Sequence, residues 1–177
     1  MTYYDFFVGK MVRLDRGGHE SRTGRLLYSG KDYLVLQTEK EGIIYYYSYH
    51  LKSISLNTKD NSDMYSEPVR STEEPVPVLK YIKADSMQDV LSTMIDQWVL
   101  INRGGPESVQ GVMKDVSSDT ITLVSNHEII TMVNNHIRSC SYVVAENKEE
   151  NNDKNNDNNG ENKDDNNKGN DKKRKRK

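Results

Sequence analysis

The sequence predicts an all-β protein: two small β-barrels in tandem, each preceded by a short helix, and then a disordered C-terminal tail. Three observations carry this. The first is an uneven division of residue types. Residues 146–177 hold 11 Asn, 9 acidic and 10 basic residues and otherwise only two glycines, so nothing there can repay the entropy of ordering by burying apolar surface. Residues 1–145 hold nearly all the hydrophobic side chains together with 15 basic and 18 acidic residues. That is enough chain for one moderate core or two small ones.

The second observation is an internal repeat. MVRLDRGGHESRTGRLLYSGKDYLVL (11–36) aligns with WVLINRGGPESVQGVMKDVSSDTITL (98–123) at a constant offset of 87. Arg16-Gly17-Gly18 falls on Arg103-Gly104-Gly105, Glu20-Ser21 on Glu107-Ser108, and Gly24 on Gly111. After a one-residue gap, His50-Leu51-Lys52-Ser53-Ile54-Ser55 falls on His136-Ile137-Arg138-Ser139-Cys140-Ser141. The body is therefore two copies of one unit. The third observation is that each copy breaks into short β-branched or aromatic runs punctuated by turn residues.

The elements follow in order. Tyr3–Val8 is a short aromatic segment expected to lead the first unit as a helix. Val12–Leu14 alternates apolar and polar as a strand does. The double glycine supplies a tight turn, and Gly24 inside the next strand marks a bend where the sheet curls. Tyr33–Leu36 and Ile43–Tyr49 make the third and fourth strands, and the residues after His50 a short fifth. Val76–Ile82 reads as an added edge strand. Before the second unit, Met87, Val90, Leu91, Met94 and Ile95 form one apolar stripe at helical spacing, capped by Asp85 or Ser86. Val99–Ile101, the run around Gly111, Thr120–Val124, Ile129–Val133 and the residues after His136 repeat the five strands. Five bent antiparallel strands in so few residues suggest an SH3-like or Sm-like barrel. The expected domains are 1–56, a linker 57–75, 76–145, and the tail 146–177.

Composition also narrows function. Met1–Phe7 has no basic region followed by an apolar run, so no secretory signal is expected. No stretch reaches the roughly 18 apolar residues of a membrane span, and the chain is expected on the cytosolic side of any surrounding membrane. The lone Cys140 falls on Ile54 of the first copy and reads as a core residue. A body net charge of −3 disfavours general nucleic-acid binding.

Candidate chemistry is sparse. The arrangement of strands resembles the Sm class of RNA-binding rings, which leaves single-stranded RNA binding as the alternative function. The segments after Asp32 and Asp119 lack the asparagine that class uses, and those after His50 and His136 lack its glycine. His50 and His136 are equivalent but have no clustered co-ligands, and His19 and His127 have no counterparts in the other copy, so no metal or cofactor is expected. No nucleophile elbow or phosphate-cradling loop is present, and no enzyme is expected. Tyr45, Tyr46, Tyr47 and Tyr49 offer an aromatic core or an outward interaction face. The basic tip Lys172-Lys173-Arg174-Lys175-Arg176-Lys177 follows an acidic, asparagine-rich spacer and reads as part of a hydrated brush, with docking on an anionic surface as the alternative.

Arg16–Ser21 with Gly24, Asn102–Ser108 with Gly111, and the closing segments His50–Ile54 and His136–Ser139 together resemble the spore coat protein B family of endospore-forming Bacillus-type bacteria. The resemblance implies a structural component of the outer spore coat, made in the mother-cell cytoplasm, with other coat proteins and further copies of itself as partners. Longer members of that family carry another copy of the unit and a phosphorylated serine-lysine-rich tail. Residues 146–177 contain no Ser, Thr or Tyr, so that modification has no acceptor here.

Overall fold

The computed structural model describes residues 2–56 and 77–143. The expected linker and the tail with its basic tip lie outside these, and all described residues belong to one compact unit, Met1–Ala145. Its strands are β1 Met11–Leu14, β2 Arg22–Ser29, β3 Tyr33–Thr38, β4 Gly42–Tyr47, β5 Ile54–Leu56, β6 Trp98–Ile101, β7 Val109–Val116, β8 Thr120–Ser125, β9 Glu128–Val133 and β10 Ser139–Tyr142. The one α-helix among the described residues is α1, Met87–Ser92, and a 3-10 turn at Tyr3–Phe7 holds the equivalent place before the first half.

All ten strands join one antiparallel sheet in the order β5-β1-β2-β3-β4-β10-β6-β7-β8-β9. Each half has the same internal order, its fifth strand beside its first. Where the sequence predicts two separate barrels, β4 and β10 hydrogen-bond to each other and make the halves one continuous sheet. The sheet does not close, and β5 and β9 stand at its two ends.

The repeated glycines bend it. A Cβ on Gly24 would fall on the Gln37 carbonyl oxygen, and one on Gly111 would lie 2.6 Å from that of Val124. Only glycine allows so close an approach of neighbouring strands. The register of each glycine-bearing strand then slips at equivalent places, between Leu26 and Tyr28 and between Met113 and Asp115. Such bulges increase local twist.

Two apolar clusters fill the unit. One gathers Phe7, Val12, Leu14, Leu26, Leu34, Leu36, Ile44 and Tyr46 of the first half. The other surrounds Met87, Val90, Leu91 and Met94, so four of the five residues of the predicted stripe are used; α1 stops at Ser92 and Ile95 is exposed. The Ser86 Oγ accepts the Asp89 amide at 3.2 Å and the Asp89 carboxylate accepts the Ser86 amide at 3.0 Å, a reciprocal cap. This second cluster also takes Tyr33, Val35, Tyr45 and Tyr47 from the first half.

Residues 77–82 do not form the edge strand expected of them. Side chains hold this segment instead of a strand ladder: the Gln37 amide donates to the Pro77 carbonyl (2.9 Å) and accepts from the Leu79 amide (3.2 Å), and the Ile82 amide donates to the Tyr45 hydroxyl (2.8 Å).

Candidate assembly interface

The repeated motif builds the same turn twice. Asp15 and Asn102, just before each Arg-Gly-Gly, have φ of 51° and 54°, a left-handed conformation that Asp and Asn tolerate because their side chains can bond locally. Each does so. The Asp15 carboxylate accepts the Lys52 amide (2.8 Å), and the Asn102 side-chain oxygen accepts the Arg138 amide (2.8 Å). The Ser21 hydroxyl donates to the Asp15 carbonyl (2.6 Å) and Ser108 to that of Asn102 (2.9 Å), closing both turns. Gly18, Gly104 and Gly105 have positive φ, as a glycine turn allows; Gly17 does not.

Where the halves meet, the two turns come together. β10 lies antiparallel to β4 with Ser139 opposite Tyr46 and Cys140 opposite Tyr45, and the Tyr47 amide donates to the Arg138 carbonyl at 3.0 Å. Glu20, 6% exposed, reaches across: its carboxylate accepts the Arg103 amide and the Ser139 hydroxyl, both at 2.6 Å. The Arg103 guanidinium, buried in the same seam, pairs with Glu41 at 3.0 Å, and Glu41 is also held by Arg22. Arg22 keeps the Glu41 carboxyl below its usual pKa, with Arg103 adding to the effect. Two Arg103 nitrogens, Nε and Nη2, are buried with no hydrogen-bond partner among the described residues. His19 packs on the second turn, its Cβ 3.1 Å from where a Cβ on Gly104 would stand.

Of the two readings of the tyrosine run, an aromatic core holds for Tyr45, Tyr46 and Tyr47, and the outward face does not. Tyr45, Tyr46 and Tyr47 are buried, and only Tyr49 is exposed. Both faces of β4 are covered, so alternate rings enter the two clusters: Tyr45 and Tyr47 one, Tyr46 the other. The Tyr46 hydroxyl donates to the Glu20 carbonyl at 3.0 Å. Burial pushes the Tyr45 hydroxyl pKa up to about 12 and raises those of Tyr46 and Tyr47 as well.

Cys140 is fully buried with its Sγ 3.3 Å from the Met94 sulfur, and burial pushes its pKa up to about 12. Such a thiol is a packing group and a poor nucleophile. Burial lowers the His50 pKa, although a hydrogen bond to the Asn135 backbone acts in the opposite direction. Among the described residues no three His, Cys, Asp or Glu side chains are placed to share a metal ion. A cleft of about 520 Å³ over Gly24, between Arg22, Arg25, Gln37 and Thr38, has no histidine or cysteine in its lining.

Of the residues singled out in the sequence, Arg103 is buried at the seam and its counterpart Arg16 is exposed; all four glycines are exposed, but Gly104 and Gly105 lie against His19 of the first half, whereas a Cβ on Gly17 or Gly18 would meet nothing within 4 Å among the described residues. Gly24 and Gly111 bend the sheet within each half. Sequence reasoning passed over Glu20 and the Asp15/Asn102 pair. Their signal was present: both lie inside the repeated motif, and Asp and Asn are the two residues that share a taste for positive φ.

No helix among the described residues is long and apolar enough to cross a membrane. No family model matches the chain. A curated protein, spore coat protein B of Bacillus subtilis (strain 168), is 36% identical over 134 residues. The match takes in 76% of this chain and 33% of that protein, so the chain spans about a third of its relative's length.

Proposed function

Because the chain belongs, over 134 of its residues, to the spore coat protein B family, we propose that it is a non-catalytic structural component of the bacterial spore coat. The similarity to that coat protein is the observation that carries the reading. The unit's own chemistry supports it, since Asp15, Asn102, Ser21 and Ser108 of the repeated motif close turns and Glu20 and Arg103 join the halves. Each five-strand half then acts as a small barrel-like building block of the outer layer, made in the mother-cell cytoplasm and deposited on the forespore among other coat proteins and further copies of itself. Residues 146–177 contribute hydrated, charged surface in place of a phosphorylated tail.

The RNA-binding alternative gains nothing from the relative. The Asp32 carboxylate, at the position where an RNA site would begin, accepts the Met87 amide at 2.8 Å and so anchors α1. Fluorescently tagged protein in sporulating cells tests the coat reading. Fluorescence is expected to ring the forespore and stay with purified spores, and the protein is expected to co-purify with coat proteins from spore extracts. Fluorescence that stays diffuse in the mother cell and is absent from spores overturns it.

A further inference from the structure

The seam between β4 and β10 consumes one edge of each half and, among the described residues, leaves the other two without a strand partner. The first half keeps its fifth strand, β5, at one end of the sheet, and the second half keeps its fourth, β9, at the other. β5 is the counterpart of β10, and β9 of β4. The two free ends are thus the same pair of surfaces that already bind each other inside the molecule.

The seam's contact residues are duplicated at these ends. Glu107 is the counterpart of Glu20, Arg16 of Arg103, and Ser53 of Ser139. In the seam Glu20 and Arg103 are 6% and 4% exposed, whereas Glu107 and Arg16 are exposed. Val133 is 48% exposed where its counterpart Tyr47 is 5%. The backbone is also poised. The Asn134 amide donates to the Asp119 carbonyl and Thr120 stands opposite Val133, so the alternation of an antiparallel ladder turns the Val133 N–H away from β8, toward the free edge. Tyr47 uses the equivalent N–H to bind Arg138. Gly17 fits the same pattern. It has an ordinary φ and nothing within 4 Å of a Cβ placed on it, so the fold itself gives no reason for glycine there. At its counterpart Gly104, the His19 side chain lies 3.1 Å from where a Cβ would stand, and the counterpart of His19 is Pro106.

We propose that β9 of one copy pairs antiparallel with β5 of a second copy, repeating the internal seam between molecules. Met132 then stands opposite Ser53, the Val133 amide donates to the Lys52 carbonyl, Glu107 accepts the Arg16 amide and the Ser53 hydroxyl, and Pro106 covers Gly17. The two edges differ, so the contact runs head to tail and builds a ring if its rotation closes and a filament if it does not. The inference deepens the coat reading by naming the partner as another copy of the same chain.

The test uses the full chain and two single substitutions, one per edge. Val133→Pro removes the outward donor at a position whose φ of −78° already suits proline. Gly17→Leu fills the open space where Pro106 of the next copy would sit. In sedimentation velocity over a concentration series, the unaltered chain is expected to form assemblies larger than a dimer. Each variant alone is expected to be monomeric with an unchanged circular dichroism spectrum. An equimolar mixture of the two is expected to give dimers and nothing larger, because each brings one intact edge. An unaltered chain that stays monomeric at every concentration, or a mixture that stays monomeric, overturns the pairing. Monomers in solution with tagged protein still on the spore leave the coat reading standing and remove only this inference. Assembly without spore localisation does the reverse.

Discussion

Glu20 shows how much one buried carboxylate can organise. It holds a backbone amide and a hydroxyl of the other half at 2.6 Å each. Its loss leaves both donors buried and unsatisfied, a cost of about 1–3 kcal/mol for each group. Glu20→Ala is expected to lower unfolding stability by about 3 kcal/mol in urea titrations, whereas Glu107→Ala, at the exposed counterpart, is expected to change it by about 0.5 kcal/mol or less. Equal losses would refute the seam as the reason for the difference. At this scale the sequence was only half legible. The repeat marked both glutamates as a pair, but a repeat makes copies look equivalent and cannot say which copy faces the other. Tyr45–Tyr47 were left between core and outward face for a related reason: alternation assigns a strand two faces without telling whether either meets solvent.

At the scale of elements the sequence was more informative. Strand runs, turn residues and glycines fell at matching places in both copies because each is set locally, by side-chain period and backbone conformation. The apolar stripe from Met87 predicted a helix through Ile95, and α1 ends sooner, at Ser92; beyond it Met94 still packs in the core while Ile95 is exposed. The 77–82 segment failed as a strand because Gln37 and Tyr45 side chains occupy its backbone groups, a long-range arrangement that no local pattern announces. Two elements can be ranked by substitution. Gly111→Ala drives a Cβ to 2.6 Å from the Val124 oxygen and is expected to cost about 3 kcal/mol. Ser86→Ala removes one cap and is expected to cost about 1 kcal/mol. Thermal unfolding of the two variants checks the order, and a milder effect at Gly111 would undo the account of the sheet's bend.

For the whole molecule, stability is bounded on both sides by pH. His50 and Glu41 have folded pKa values below their ordinary 6.5 and 4.5. The unfolded chain therefore takes up protons first as pH falls, and the stabilisation these groups give above their ordinary values is lost in turn. The tyrosines act with opposite sign. Tyr45, Tyr46 and Tyr47 are raised above 10.0, so the unfolded chain ionises first and stability falls as pH climbs past 10. The melting temperature is expected to be level between about pH 7 and 9.5 and to drop on either side. A melting temperature that rises from pH 7 to 4, or holds steady from pH 10 to 11, would contradict this. The joining of the halves was the least legible feature at this scale, since strand order between copies depends on which edges meet and leaves no periodic trace.

One small asymmetry has a large consequence. The β3–β4 hairpin has three loop residues, Glu39, Lys40 and Glu41, while the β8–β9 hairpin has only Asn126 and His127. Glu41, the last residue of the longer loop, pairs with Arg103. A seam made from the outer edges would lack that clasp, so gentle heating would separate neighbouring copies while each still held its own halves together. The permanent bond and the renewable one would then differ by the Glu41 clasp as well as by Tyr47, where the outer edge offers Val133.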